Sequence, residues 1–328
     1  MSDQTSPPAS PDRPRADDFV LPFSIEGLEV RGRVVRLGPL VDTILARHNY
    51  PAPVSRLLGE AVALALLLGA SLKFEGRFIL QIQSDGPISM MVVDYATPDK
   101  VRACAKFDAD AIAANQSLWS APVRLLGKGH LAMTVDQGAQ ASRYQGVVPL
   151  EGGSLAEVAD VYFRQSEQIP TFIKLAVAES FSAESGERGL HWRAGGLLIQ
   201  HLPAEGGVQH RDLPPGDAPA EAAVQQDEEA DQWTEARLIA ETIEDDELTD
   251  PTISAERLLY RLFHERGVRV FSAQGVHEEC RCTRERISGI LNQFSAEDVQ
   301  DMTTDDGAIV VTCEFCSAEY RFDPEQFG

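Results

Sequence analysis

The sequence predicts an α+β protein made of an N-terminal mixed sheet-and-helix core domain, an acidic and partly helical linker, and a small C-terminal four-cysteine domain. Three observations predict it. As far as residue 203, apolar runs rich in Ile, Val, Phe and Met alternate with turn signals and amphipathic stretches, a pattern for hairpins with helices packed on them rather than regular β-α-β alternation. Of a formal net charge of −22, residues 204–255 carry −13, with 15 acidic side chains against two basic ones. Four of the five cysteines stand at 280, 282, 313 and 316. The expected divisions are a disordered tail over 1–18, the core domain over 19–203, the linker over 204–255 and the cysteine domain over 256–328.

Taken in order, the tail is rich in Pro, Ser and Asp and has no apolar signal segment, so a cytoplasmic protein is expected. Residues 28–37 read as a strand and 39–47 as a helix, with Pro39 in the first turn where no N–H is needed. Pro51 and Pro53 punctuate before a helix over 54–72. Its apolar run, 61–72, is too short to span a bilayer and reads as buried, so no membrane partner is expected. Strands over 77–83 and 88–95 flank the turn Ser84-Asp85-Gly86-Pro87, and strands over 130–135 and 142–149 flank Asp136-Gln137-Gly138. Ser154 and Glu157 predict a capping box, followed by one apolar stripe of Leu155, Val158, Ala159, Tyr162 and Phe163. Strands over 172–177 and 195–202 complete the domain.

Residues 204–227, with Gly206-Gly207, Pro214-Pro215 and Pro219, read as a loose connector. A helix over 228–248 follows, with Trp233, Ala236, Ala240 and Ile243 on one apolar face. Glu244 to Glu247 then fall at its C-terminal end, where the macrodipole makes each acidic charge cost about 0.3 to 1 kcal/mol at low salt. Such a helix is marginal and depends on tertiary docking. Beyond it, helices are expected over 254–264, 283–292 and 296–302, and a hairpin joins 308–312 to 320–322 across the second cysteine pair.

Cys280 and Cys282 form a C-x-C pair, Cys313 and Cys316 a C-x-x-C pair. Four thiolates can fill the tetrahedral shell of one Zn2+ at about 2.3 Å, and the same sulfurs can leave zinc to form disulfides. The 30 residues between the pairs exceed the spacing of common zinc ribbons. Structural zinc supplies roughly 10 to 16 kcal/mol of apparent free energy in small peptides, which suits a segment with little core of its own. Arg281, Arg284 and Arg286 add positive charge that favours thiolate. The residues alone leave two uses open, an inert structural site and a redox switch. His264 and His277 are surplus to a full sulfur shell, and Cys104 reads as a small buried hydrophobe without chemistry.

Several function classes find no support. Gly127-Lys128-Gly129 lacks the remainder of a P-loop, Asp108-x-Asp110 lacks the Gly and Glu of a calcium loop, and no G-x-S-x-G occurs. No enzyme is expected, and turnover of a disulfide substrate would be needed to revive a thiol oxidoreductase. The acidic balance argues against a nucleic-acid surface, so no nucleic-acid partner is expected. The alternative reading is a zinc-ribbon interaction module without redox control, supported by the arginines at 281, 284 and 286.

The segments Glu278-Glu279-Cys280-Arg281-Cys282-Thr283-Arg284-Glu285-Arg286 and Cys313-Glu314-Phe315-Cys316 strongly resemble the redox-regulated heat-shock protein 33 family. The likeness continues through Ser71-Leu72-Lys73-Phe74-Glu75-Gly76, Gln83-Ser84-Asp85-Gly86-Pro87, Tyr144-Gln145-Gly146-Val147-Val148 and Tyr162-Phe163-Arg164-Gln165-Ser166-Glu167-Gln168-Ile169-Pro170. It implies a cytosolic, ATP-independent holdase, off while its four reduced cysteines bind one zinc. Oxidants would then release zinc, join Cys280 to Cys282 and Cys313 to Cys316, unfold the redox domain and linker, and yield a dimer that holds unfolding client proteins. On that reading Trp233, Ala236, Ala240 and Ile243 become the candidate client-binding and switch surface. The connector over 204–227 is longer and richer in Pro and Ala than the family's usual linker, and the tail is an extension.

Overall fold

The computed structural model describes residues 17–71, 75–138, 143–182, 189–201 and 220–327; the expected tail, up to residue 16, and most of the loose connector, 204–219, lie outside them. Asp17 and Asp18, expected in the tail, are structural. The Asp18 carboxylate accepts from the Gly38 and Leu40 N–H groups at 2.9 and 3.0 Å, meeting open donors at a helix start, and Asp17 pairs with Arg193 at 2.7 Å.

Along the chain, β1 (Phe19–Ile25) turns through Glu26–Leu28 into β2 (Val30–Leu37), then come α1 (Pro39–Ala46) and α2 (Ala52–Gly69). With 18 residues and a mean hydropathy of 1.5, α2 could cross a membrane by length and composition. In the fold 83% of it is buried, and every residue from Ala61 to Leu67 is sealed in the core. β3 (Arg77–Ser84), β4 (Ile88–Ala96), β5 (Lys100–Phe107), α3 (Ala109–Ala114), β6 (Gly129–Asp136) and β7 (Tyr144–Pro149) follow, so both expected hairpins form. α4 (Leu155–Tyr162) opens on Ser154, whose hydroxyl accepts from the Glu157 N–H at 3.2 Å, but the Glu157 carboxylate reaches back to Gly153 N–H instead of closing the box on Ser154. β8 (Thr171–Ser182) and β9 (Gly189–His201) are the longest strands described.

The remainder is α5 (Ala220–Glu241), α6 (Asp245–Thr249), α7 (Ala255–Phe263), β10 (Val268–Val270), β11 (Gln274–Gly275), β12 (His277–Glu278), α8 (Arg284–Leu291), α9 (Ala296–Asp301), β13 (Ile309–Thr312) and β14 (Glu319–Phe322). One sheet has the order β10-β1-β2-β9-β8, with β11 also on the edge of β1; the second has the order β12-β5-β4-β3-β6-β7; β13 and β14 pair alone. The main core lies around α2, between the two sheets.

Two expectations change in the linker. The helix over 228–248 begins earlier, at Ala220, and breaks at 242–244 into α5 and α6. Glu244 becomes the extended N-cap of α6, its N–H donating to Glu247 at 3.1 Å, so the acidic run occupies a first turn, where the macrodipole favours it. Electrostatics that were expected to weaken one helix therefore start another. The far end of α6 is met by cations: Arg36 donates to the carbonyls of Glu247, at 3.1 Å, and Asp250, and Arg193 to that of Thr249 at 2.6 Å. α6 also lies close on β9, where a Cβ at Gly195 would fall 2.2 Å from the Leu248 carbonyl oxygen.

Residues 256–278, read with the cysteines, pack here on the sheets of the body. Leu258, Leu259, Leu262 and Phe263 of α7 share a buried cluster with Leu21, Phe23 and Val34, and the Phe263 ring stacks on Phe23 at 6.2 Å. β10 and β11 extend β1, and β12 runs parallel to β5. Strands of two or three residues take their hydrogen bonds from a neighbour's edge, which periodicity cannot announce. The cysteine-bearing unit keeps a separate small core of Ile287, Leu291, Val299, Ile309, Phe322 and Phe327.

Candidate metal centre

Cys280 and Cys282 lie in the extended stretch after β12, which ends at Thr283, the N-cap of α8, whose hydroxyl accepts from Arg286 N–H at 3.2 Å. Cys313 and Cys316 occupy the turn between β13 and β14. That turn is closed by Ser317 N–H to Cys313 carbonyl at 2.8 Å and Cys313 N–H to Ala318 carbonyl at 2.9 Å, with Ser317 left-handed at φ 57°. Helix cap and hairpin together bring the four sulfurs within 4.8 Å of one another. Sγ separations are 3.4 Å for Cys280–Cys282, 3.7 Å for Cys280–Cys313 and 3.2 Å for Cys282–Cys316. Sulfurs 2.3 Å from a common ion stand about 3.8 Å apart in a tetrahedron, so the cluster has the size of a metal shell. All four are free and half-buried, and the separations far exceed the roughly 2.05 Å of an S–S bond. An all-sulfur donor set suits a soft or borderline ion such as zinc and not magnesium or calcium.

The thiols are not equivalent. Burial pushes Cys282 up, but the Tyr320 hydroxyl, donating to its sulfur at 3.3 Å, and the neighbouring thiols outweigh it and bring it down to about 7. Burial raises Cys280, and raises Cys316 far above the usual thiol range. The positive charge beside the sulfurs comes from a different place than expected. Arg102, on β5, points Nη1 at Cys280 Sγ from 4.0 Å and lies 4.0 Å over the Phe315 ring. Arg281 turns away to Asp94, and Arg284 donates to the Arg321 carbonyl at 2.7 Å.

Body residues seat the centre, and sequence reasoning missed them. Asp94, on β4 and 3% exposed, binds Arg77, Arg102 and Arg281. Arg47 grips Glu278 with two hydrogen bonds of 2.7 and 2.8 Å, and Lys100 pairs with Glu279 at 2.7 Å. His48 contacts the Phe315 carbonyl at 3.2 Å and the Ser317 hydroxyl at 3.0 Å. The available signal was Asp94 itself, a carboxylate inside the apolar run Val92-Val93-Asp94-Tyr95. His264 bonds the Tyr260 carbonyl, and His277 lies near Asp99 and Glu279. Cys104 is buried, with its thiol pushed up to about 12 chiefly by desolvation.

The other candidate surface lies on the linker, against the sheet of β1, β2, β8 and β9. Ala236 and Ala240 are fully buried, Ile243 is nearly so, and the partly buried Trp233 sits 6.3 Å from the His201 ring. Beside it, Glu60 of α2 lines a cavity shared with Asp160, Lys174, Glu241 and Asp245. Burial, with a smaller contribution from Asp245, pushes its carboxyl up to about 7.

Comparison with known proteins adds to this geometry. The family description "Hsp33 protein" matches residues 18–323. A 33 kDa chaperonin of Caulobacter vibrioides is 47% identical over 317 residues, 96% of this chain and 98% of that protein. One from Ectopseudomonas mendocina is 34% identical over 308 residues, 94% of this chain and 92% of that protein. A crystal structure of the 33 kDa chaperonin, an Hsp33 homolog, of Thermotoga maritima superposes with a TM-score of 0.73 at 21% identity, covering 95% of this chain and 97% of that one, and so shares the fold.

Proposed function

The chain belongs to the Hsp33 protein family, and from that premise we propose that it is a redox-regulated, ATP-independent holdase of the cytoplasm. In the proposed resting state Cys280, Cys282, Cys313 and Cys316 hold one Zn2+, which folds a unit whose own core is small. The bound ion would supply charge neutralisation and a cross-link between the two cysteine pairs. Oxidation joins Cys280 to Cys282 and Cys313 to Cys316. Sulfur distances do not select this pairing, since Cys282 and Cys316 are the nearest at 3.2 Å. What supports it is the chain: cysteines with only one or two residues between them stay together once the unit unfolds, while cross-pairs need the fold.

The observation that carries the reading is the path from the centre back to the linker. The cysteines follow β12, which follows β10 and β11, which follow α7 and the Trp233 face, so loss of the centre frees a strap that now covers two strand edges and one apolar sheet face. Released, that strap would bare apolar surface and the open edges of β1 and β5, both fit to hold extended, unfolding client chains, and would let two copies associate. Domain limits in function are then the body with its strap, and the cysteine unit beyond Glu278.

The test measures zinc, free thiols and suppression of aggregation of a heat-unfolded client before and after peroxide. Suppression should appear only after oxidation, with loss of one zinc and four thiols. Equal suppression by the reduced, zinc-loaded protein would leave an interaction module without redox control.

A further inference from the structure

We propose that Asp94 is the positioning residue that seats the cysteine centre on the body, and that its three arginines balance the charge of the zinc-thiolate site, so that oxidation itself loosens the seat. The inference rests on the zinc and disulfide reading above. A buried carboxylate is satisfied by one guanidinium, but Asp94 collects three: Arg77 from β3, Arg102 from β5, and Arg281 from between the two cysteines of the C-x-C pair. Arg77 and Arg102 belong to the body; Arg281 alone of the three travels with the centre. Arg102 spans the joint, touching Asp94 at 2.9 Å at one side and approaching Cys280 Sγ at 4.0 Å on the other. The remaining ion pairs of the joint, Arg47 with Glu278 and Lys100 with Glu279, each set one cation against one carboxylate, with His277 3.5 Å from Glu279 as well; Arg47 feels Cys316 and Cys280 only as a smaller contribution beside Glu278.

Three guanidiniums on one carboxylate leave a surplus of two positive charges in a partly desolvated joint, which taken alone is repulsive. Zinc held by four thiolates carries two net negative charges, so the reduced joint is neutral. When two molecules of hydrogen peroxide oxidise the centre, the four thiolates lose four electrons and form two S–S bonds. Zn2+ departs, and the peroxides take up those electrons with four protons to give four waters. The sulfurs are then neutral and the surplus remains. Arg281 is left with one carboxylate attracting it and two guanidiniums repelling it, at the point where the departing unit is anchored.

Hydrogen exchange at β12 in the full-length, reduced, zinc-loaded chain reads the seat, while zinc content and thiol count read the centre. Asp94→Asn should keep one zinc and four thiols yet lower protection at β12 about a hundred-fold, the scale for removing one partner of a buried charge cluster. Arg281→Met should do the same, standing in if Asp94→Asn fails to fold, and Arg281→Lys, which keeps the charge without the planar fork, should restore part of the protection. Wild-type protection in both Asp94→Asn and Arg281→Met overturns the seat. Arg77→Met, which lowers the surplus after oxidation, should slow loss of β12 protection after peroxide without slowing disulfide formation; an unchanged rate overturns the charge balance. A wild-type chain that binds no zinc, or keeps four thiols after peroxide, instead sinks the proposed function, and the reduced-state comparison still judges the seat.

Discussion

α5, α6 and α7, with the break between the first two, cover the first sheet with Ala236, Ala240, Ile243, Leu248, Leu259 and Phe263, and the carbonyls at the end of α6 accept from Arg36 and Arg193 of that sheet. The cysteine unit instead meets the second sheet through Asp94, Arg102, Arg281, Glu278 and Glu279. Apolar burial and carbonyl hydrogen bonds do not depend on the redox state of a thiol. Charges packed against thiolates do. On the proposed function that difference divides the roles: the cysteine unit would be where an oxidant acts, and the linker what its loss would set free. It also fits a chain that holds a small core beside a large one, since a metal at the four cysteines, as proposed, would fold the first, while burial around α2 folds the second.

Four changes would break or sharpen that contrast. The largest effect is expected from Cys313→Ser, which removes one ligand of the proposed zinc site and with it a share of roughly 10 to 16 kcal/mol. NMR should show residues beyond 279 losing dispersion with zinc stoichiometry near zero, while β3 and β4 keep theirs. On the linker side, Phe263→Ala deletes a buried ring stacked on Phe23 and should cost about 3 to 5 kcal/mol, seen in chemical denaturation, with zinc still bound. Client protection by that variant without oxidant would show that linker release suffices.

Gly195→Ala should be milder, about 1 to 3 kcal/mol, because its Cβ must push the Leu248 carbonyl of α6 aside; Trp233 fluorescence would report a shifted linker in the reduced protein. The last change is of similar size but appears only at high pH. Burial pushes Glu60 up to about 7 in the fold, above the ordinary 4.5, so its contribution is intact below pH 4.5 and is lost as pH rises through 7. Glu60→Gln should therefore raise stability by roughly 1 to 3 kcal/mol at pH 8 and leave it unchanged at pH 4. A uniform gain at both values would assign the effect to packing and not to ionisation.

Much of the body was legible because its elements carry their own periodicity: the apolar run of α2, the alternation of β3 and β4, and the Ser154 cap of α4. β1 was hidden by Pro22 and Ser24, and β5 by Lys100, Arg102 and Lys106, of which Lys100 and Arg102 serve the joint with the cysteine unit. The break between α5 and α6 was ambiguous because an acidic run fits poorly at one helix end and well at the next helix start. The four cysteines were readable from spacing. Their seat was not, since Asp94 and Arg281 are 187 positions apart in sequence and become neighbours through β12 pairing with β5.

The central claim is that the state of four sulfurs decides whether the linker stays on the body. Amide hydrogen exchange across residues 233–249 tests it most directly, in reduced zinc-loaded protein and again after peroxide. The account predicts that protection there collapses on oxidation together with β10 to β12, while β3 and β4 remain protected. Protection of 233–249 that survives formation of both disulfides and loss of zinc would contradict it.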